Sequence, residues 1–307
     1  MKIYKSTLDI PKDLDFGLTI GNFDGVHLGH QFLLKKVKEE CERKKWKMLL
    51  LTFTPHPLAV LQGKSNFLVS DYSEKLDLLK EYGVDYIVEL PFDRSLSMLE
   101  PGVFLEQYLV SQKNIKGVFL GHDFSFGANK KGNHDFVYNY FKNSNVAVET
   151  LDNFREEGVT YSSTKVRELL AGGEVDKVFE VLGRGYELQG IVKKGHGRGK
   201  GLGFATANLS YPREKLLPKS GVYITDVKIG DVSYKSLTNV GVNPTFEVRE
   251  NEISVENHIL NFDRDLYGEK IIVSFYKKIR DEKAFSSPTE LVEQLKRDVD
   301  ERAAFDV

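Results

Sequence analysis

Near Gly183-Arg184-Gly185 this 307-residue chain changes rhythm, and each side of the change admits only a narrow range of architectures. Up to about Leu182, apolar runs at Phe16 to Ile20, Met48 to Phe53, Tyr86 to Leu90, Gly117 to Gly121 and Val146 to Leu151 alternate with helical patterns such as Val103, Phe104, Tyr108 and Leu109. That alternation predicts an open parallel sheet with helices on both faces. After the change, strand-like runs follow one another without helices, at about Glu187 to Lys193, Val222 to Ile229, Val232 to Val240, Ile253 to Phe262 and Ile271 to Lys277. They predict a compact antiparallel β-barrel or sandwich. A last helix is announced by Ser287-Pro288-Thr289-Glu290, a capping box with proline at the first helical position, and Leu291, Leu295 and Val299 line one of its faces. The chain is long enough for about two domains, expected here as residues 1–184 and 185–307.

Composition narrows the setting. With 43 basic against 45 acidic side chains, a net charge of −2 gives no global attraction to nucleic acid or an anionic membrane. The single cysteine, Cys41, excludes an internal disulfide and fits a reducing compartment. No apolar run approaches a membrane span, and Met1-Lys2-Ile3-Tyr4-Lys5-Ser6 lacks the core of a signal peptide. The expectation is a soluble, cytoplasmic protein.

Gly21-Asn22-Phe23-Asp24-Gly25-Val26-His27-Leu28-Gly29-His30 occupies a strand-to-helix junction, because Phe16 to Ile20 precedes it and Leu33, Val37 and Cys41 recur behind it four apart. Glycines there allow close backbone approach, and free helix N–H groups face an anion. Alone, the segment could be a tight turn with histidine caps. Far downstream, Tyr161-Ser162-Ser163-Thr164-Lys165-Val166-Arg167 offers three successive hydroxyls and an arginine about one turn on. The pair resembles the signature of the nucleotidylyltransferase superfamily, in which an H-x-G-H turn and an S-S-T-x-x-R helix start close on ATP.

Two further rim segments follow strands. Thr52-Phe53-Thr54-Pro55-His56-Pro57 holds His56 in a proline-stiffened turn, and Gly121-His122-Asp123-Phe124-Ser125-Phe126-Gly127 brings two aromatics and a carboxylate ahead of Lys130-Lys131-Gly132. In this order, the motifs resemble the FMN adenylyltransferase module of prokaryotic bifunctional FAD synthetases. The resemblance implies a Rossmann-like nucleotidylyltransferase fold. It implies that Gly21, Asn22, Phe23, His27, Gly29, His30, Ser162, Ser163, Thr164 and Arg167 serve ATP, with His27, His30 and Arg167 acting in catalysis. His56, Asp123, Phe124 and Phe126 would line the FMN side. Lys165 stands where arginine is common. The implied chemistry is in-line attack of an FMN phosphate oxygen on the α-phosphorus of ATP, with Mg²⁺ held mainly through phosphate oxygens and water.

In the second half, Gly195-His196-Gly197-Arg198-Gly199-Lys200-Gly201-Leu202-Gly203 is rich in glycine but is no Walker A loop, since the spacing is wrong and no Ser or Thr follows Lys200. Its glycine content would suit a mobile hairpin tip, and its two cations a flap over a polyphosphate, and the sequence leaves both readings open. Phe204-Ala205-Thr206-Ala207-Asn208, Asn239 to Phe246 and Val255-Glu256-Asn257-His258 follow it. Together they resemble the riboflavin kinase module of the same bifunctional enzymes. By that resemblance Thr206 and Asn208 would hold Mg²⁺ and ATP phosphates, Gly197, Arg198 and Gly203 would cover the nucleotide, and Glu256 would accept the proton of the ribityl 5′-hydroxyl. Asn239 and Arg280 would face the flavin, although Arg280 could equally pair with the C-terminal helix. Asp263-Arg264-Asp265-Leu266-Tyr267-Gly268 and Arg280 to Phe285 match family segments. Ala205 replaces the family's proline, which should loosen the loop by roughly 0.4 to 1 kcal/mol. ATP, riboflavin and FMN are the implied partners, and self-association is left open.

Overall fold

A computed structural model describes residues 1–122, 124–151, 160–194, 204–242 and 253–306. Among them the strands are β1 (Lys2–Tyr4), β2 (Phe16–Ile20), β3 (Lys47–Thr54), β4 (Tyr86–Pro91), β5 (Ile115–Gly121), β6 (Ala147–Leu151), β7 (Tyr186–Lys193), β8 (Ala207–Ser210), β9 (Gly221–Ile229), β10 (Val232–Val242), β11 (Ile253–Ile259) and β12 (Lys270–Arg280). The helices are α1 (Leu28–Lys44), α2 (Pro57–Gln62), α3 (Tyr72–Glu81), α4 (Arg94–Ser97), α5 (Pro101–Leu105), α6 (His134–Phe141), α7 (Ser163–Gly172), α8 (Val175–Leu182) and α9 (Pro288–Ala304). The chain separates into two compact units. One holds residues 1–65 and 70–162, the other residues 66–69 and 163–307.

In the first unit six parallel strands run in the order β1-β4-β3-β2-β5-β6. Side chains alternate across the strands, so each face acquires its own core. Phe16, Leu18, Ile20, Leu49 and Leu51 join Phe104, Val137 and Phe141 on one face. Met48 and Leu50 meet Leu33, Leu34, Val37 and Cys41 on the other. Gly17 is required here, because a Cβ would lie 2.5 Å from the Cys41 sulfur. From β2 the succession passes outward through β3 and β4 on one side and through β5 and β6 on the other. The order therefore reverses beside β2, where a doubly wound sheet opens a crevice at its carboxyl edge. Gly21 to His30 begins at that edge.

In the second unit the six antiparallel strands close as β10-β11-β8-β7-β12-β9. Tyr186, Leu188, Val192, Tyr223, Val227, Val240, Val255, Val273 and Phe275 are buried and alternate with more exposed residues, so they fill the interior. Val222, Ile224 and Leu237 form a smaller cluster on the outer face, packed against Tyr276, Ile279, Val299 and Phe305.

Helix α9 starts as the capping pattern requires: the Ser287 side chain accepts from the Glu290 N–H at 3.2 Å. The reciprocal bond differs from expectation, because Glu290 accepts from the Ser286 N–H and hydroxyl instead. Its face also differs. Leu291, Leu295 and Val299 are only half-buried, whereas Asp298 and Arg302 are fully buried. Charge pairing explains this: Arg280 grips Asp298 through two nitrogens, and Arg302 pairs with Asp226 while donating to the Thr225 carbonyl at 3.1 Å.

Candidate active sites

The turn after β2 uses rarely populated backbone. Phe23, Gly25 and Val26 have φ of 51°, 78° and 39°, and for the β-branched Val26 such a value is strained. Hydrogen bonds hold the turn: Asp24 Oδ1 accepts from the Ser70 N–H at 3.2 Å, and Ser70 Oγ accepts from the Gly25 N–H at 2.9 Å. Asp24 and Ser70 escaped the sequence reading, although an Asp-Gly pair in a glycine-rich turn is a signal for such a clamp.

His27 is the N-cap of α1, its Nδ1 accepting from the His30 N–H at 3.3 Å. An accepting Nδ1 leaves the proton of a neutral ring on Nε2. The His27 and His30 rings stack with centroids 3.7 Å apart, and Phe23 packs against His30 at 4.8 Å. Burial, and then the neighbouring His27, hold the His30 pKa well below its ordinary 6.5, so it is neutral at pH 7. Its Nδ1 is buried without a hydrogen-bond partner, as is Asn22 Oδ1. Glycine serves two positions here. A Cβ at Gly21 would lie 2.9 Å from the Phe23 ring, and one at Gly29 would meet the His27 ring at 3.2 Å and the Tyr161 Cβ at 3.5 Å. The second contact matters most, since it brings the chain to Ser162 alongside the two histidines.

Around this turn, buried polar atoms gather at the carboxyl edge. Thr52 and Glu89 face each other across β3 and β4, and Thr52 Oγ1 and Glu89 Oε1 have no hydrogen-bond partner. Lys5 covers the other Glu89 oxygen at 2.6 Å. Glu89 was missed by the sequence reading, and its signal was a carboxylate inside an apolar run. His56 is half-buried and caps α2, accepting from the Leu58 N–H at 3.1 Å. Phe126 belongs to the core, beside Phe104 at 5.3 Å, and Phe124 stacks on it, half-exposed, also at 5.3 Å. Asp123 lies outside the described residues.

In the second unit α7 begins at Ser163, with Thr164 exposed and Arg167 half-buried. Arg167 Nε donates to the Phe67 carbonyl at 2.8 Å, with its guanidinium 5.6 Å from the Phe67 ring, so its position is set by residues 66–69.

On the barrel, strand register assembles one row. Asn239 opposes Glu256, and Glu256 opposes Asn208. Directly opposed residues share a face, and here it is the outer one, since the intervening Val255, Asn257 and Val240 point inward. Thr206 Oγ1 reaches Glu256 Oε2 at 3.5 Å, the limit of a hydrogen bond. Asn239 Nδ2 lies 3.5 Å from Glu282 Oε1. Of the two roles open to Arg280, the described geometry contains the pairing with Asp298, while its Nη1 donates to the Asp281 carbonyl at 3.2 Å. Thr206 and Asn208 offer hard oxygens. Two such donors suit Mg²⁺ carried by a nucleotide, which keeps water and phosphate oxygens as its remaining ligands; among the described residues no group of three or more His, Cys, Asp or Glu could hold a metal alone. Gly197, Arg198 and Gly203 lie outside the described residues.

A switch-point turn with paired histidines, and a closed barrel with a Thr-Asn-Glu row, define a nucleotidylyltransferase-like unit followed by a kinase-like barrel. Residues 10–165 match the FAD synthetase family model and residues 182–305 the riboflavin kinase model. Proteins called bifunctional riboflavin kinase/FMN adenylyltransferase are similar over most of their length. The one from Bacillus subtilis is 30% identical over 92% of this chain and 90% of its own, and that from Escherichia coli K12 is 35% identical over 92% and 90%. A crystal structure from Streptococcus pneumoniae, described as a macrolide-efflux protein, is 30% identical, covers 99% of both chains and superposes with a TM-score of 0.88. No helix among the described residues is long and apolar enough to cross a membrane. This chain belongs to the bifunctional riboflavin kinase/FMN adenylyltransferase family.

Proposed function

We propose that the chain carries out two successive transfers from ATP, first phosphorylating riboflavin to FMN and then adenylylating FMN to FAD. Functionally it divides into residues 1–184 for adenylylation and 185–307 for phosphorylation. The carrying observation is the row Asn208-Glu256 with Thr206 within 3.5 Å, which sets a carboxylate beside two oxygen donors on the outer face of the barrel. Glu256 accepts the proton of the ribityl 5′-hydroxyl as that oxygen bonds to the γ-phosphorus and the bond to ADP breaks. Thr206 and Asn208 hold the phosphates with Mg²⁺, whose contribution is to neutralise charge on the transferring group. Asn239 and Arg280 orient the flavin end.

Adenylylation requires an FMN phosphate oxygen to displace pyrophosphate at the α-phosphorus. His27 and His30 donate hydrogen bonds to the oxygens that gain charge, while Gly21, Asn22, Phe23 and Gly29 let the backbone approach them. Ser162, Ser163, Thr164 and Arg167 bind the phosphates, and His56, Asp123, Phe124 and Phe126 line the flavin side. Mg²⁺ accompanies the triphosphate here also. The Gly29–Tyr161 contact supports this reading, because Tyr161 leads directly into Ser162. The enzyme works in the cytoplasm, where ATP and riboflavin meet.

The test is to supply MgATP with riboflavin or with FMN and resolve the flavins. Native protein is expected to convert riboflavin to FMN and FAD. Glu256→Gln should slow riboflavin phosphorylation by at least ~100-fold while still converting FMN to FAD. Riboflavin left unchanged by native protein, or consumed at the native rate by Glu256→Gln, would overturn the assignment.

A further inference from the structure

The barrel interior contains a connected polar chain among mostly apolar side chains. Thr225, Ser236, Thr238 and Asn257 are each at most 1% exposed and come from three adjacent strands. Thr225 Oγ1 lies 2.8 Å from both Ser236 Oγ and Thr238 Oγ1, Thr238 Oγ1 lies 2.8 Å from Asn257 Oδ1, and Asn257 Nδ2 lies 3.1 Å from the Ala207 carbonyl. The proton positions follow by elimination. The Ala207 carbonyl only accepts, so the Asn257 amide turns its NH₂ toward it and its oxygen toward Thr238. Thr238 must then donate to Asn257, which leaves Thr225 to donate to Thr238 and Ser236 to donate to Thr225. One directed chain thus runs from Ser236 to the backbone of β8.

That endpoint is mechanistically placed. Ala207 faces inward, so Thr206 and Asn208 on either side face outward, and fixing the Ala207 carbonyl fixes how both project. β8 is only four residues long, and residues 204–206 precede its ladder. A second clamp holds that approach: His258 Nδ1 lies 2.9 Å from the Ala205 carbonyl and donates to it. Consecutive side chains of β11, one pointing inward and one outward, therefore grip the backbone on both sides of Thr206.

We propose that Asn257, oriented by the Ser236-Thr225-Thr238 chain, is a positioning residue for the kinase reaction, holding Thr206 and Asn208 in the geometry that receives Mg²⁺ and the nucleotide phosphates. It replaces from the barrel interior the restraint that a proline at position 205 would supply locally. The inference rests on Thr206 and Asn208 being phosphate and metal ligands. It goes beyond that assignment by making a buried residue that touches no substrate control them.

Asn257→Leu keeps the volume and removes both bonds. In amide hydrogen exchange of the free protein, residues 204–210 should exchange at least about tenfold faster, with the remaining barrel strands unchanged. Titration calorimetry should show Mn²⁺-ADP affinity falling about tenfold or more, and the Mg²⁺ concentration for half-maximal riboflavin phosphorylation should rise, while FMN adenylylation by the same preparation stays at the native rate. Thr238→Val, which spares Asn257 but removes its orienting donor, should shift each readout in the same direction and by less. Native exchange at residues 204–210, or native Mn²⁺-ADP affinity in Asn257→Leu, would overturn the proposal. Thr206→Ala supplies the control: if it leaves Mn²⁺-ADP affinity untouched, the ligand assignment fails; if it abolishes affinity while Asn257→Leu does not, only the positioning role fails. Exchange that rises throughout the barrel would mean Asn257 is a general core residue, which also overturns it.

Discussion

His30 shows how packing decides the state of a residue that the motif merely names. The H-x-G-H pattern announces two histidines at a helix start, but ring stacking and burial keep His30 neutral in the folded chain. The sign of the resulting pH dependence follows by linkage. A histidine whose folded pKa is lowered binds fewer protons when folded than when unfolded. Stability is therefore full above the ordinary pKa of 6.5 and falls as pH drops below it. Denaturant unfolding from pH 8 to pH 5, followed through Trp46, should show this loss. Trp46 is the chain's sole tryptophan and packs on the core cluster that α1 covers, so its fluorescence reports this unit. His30→Gln should flatten the dependence below pH 6.5, and native and variant curves that run parallel would contradict the account. Cys41 behaves as the same core dictates: burial pushes its thiol up to about 11, so it is a packing residue and not a reactive one.

Among elements, α9 departs most from what its sequence announces. Its apolar heptad-like positions predict a hydrophobic seam, yet the fully buried positions are Asp298 and Arg302, because the barrel offers Arg280, Asp226 and the Thr225 carbonyl as partners. A charge buried this deeply is tolerated only while paired, and removing one partner leaves the other uncompensated. Arg302→Leu should therefore destabilise the second unit by about 3 kcal/mol, seen as an earlier transition in calorimetry. Asp226→Asn with Arg302→Leu should recover part of the loss, since both charges are then gone; a double variant no more stable than the single would argue against pairing as the cause. Element existence was otherwise largely legible. The five principal strands of the sheet lie within a residue or two of their apolar runs, because strands buried on both faces read as short, nearly continuous apolar stretches. β1 and β8 were not legible, since three and four residues are too few to show a period. Ile253 to Phe262 reads longer than β11, because the positive φ of Asn261 turns the chain after Ile259.

For the whole molecule, each unit has its own core, and the two proposed transfers use different residues, which is testable in trans. Glu256→Gln retains the adenylylation residues, and His27→Ala retains the barrel row. Neither variant alone should take riboflavin to FAD. Mixed together with MgATP and riboflavin, they should restore FAD formation, with free FMN accumulating before FAD appears. Chromatographic time courses would check this, and a mixture that stops at FMN would show that product cannot pass through solution between chains.

Fold class, the change from parallel sheet to antiparallel barrel, and the motifs that name the candidate site residues were legible in sequence alone. The reason is that periodicity, glycine placement and motif chemistry are local properties written residue by residue. Only the tertiary structure decided which of those residues stand side by side. Register across β8, β11 and β10 lines up Asn208, Glu256 and Asn239, which lie up to 48 positions from one another along the chain. It also decided that Asn257 rather than its neighbour faces inward, and that His30 sits neutral against His27. Long-range pairing and burial are properties of the closed barrel and the packed sheet, and no window of sequence contains them.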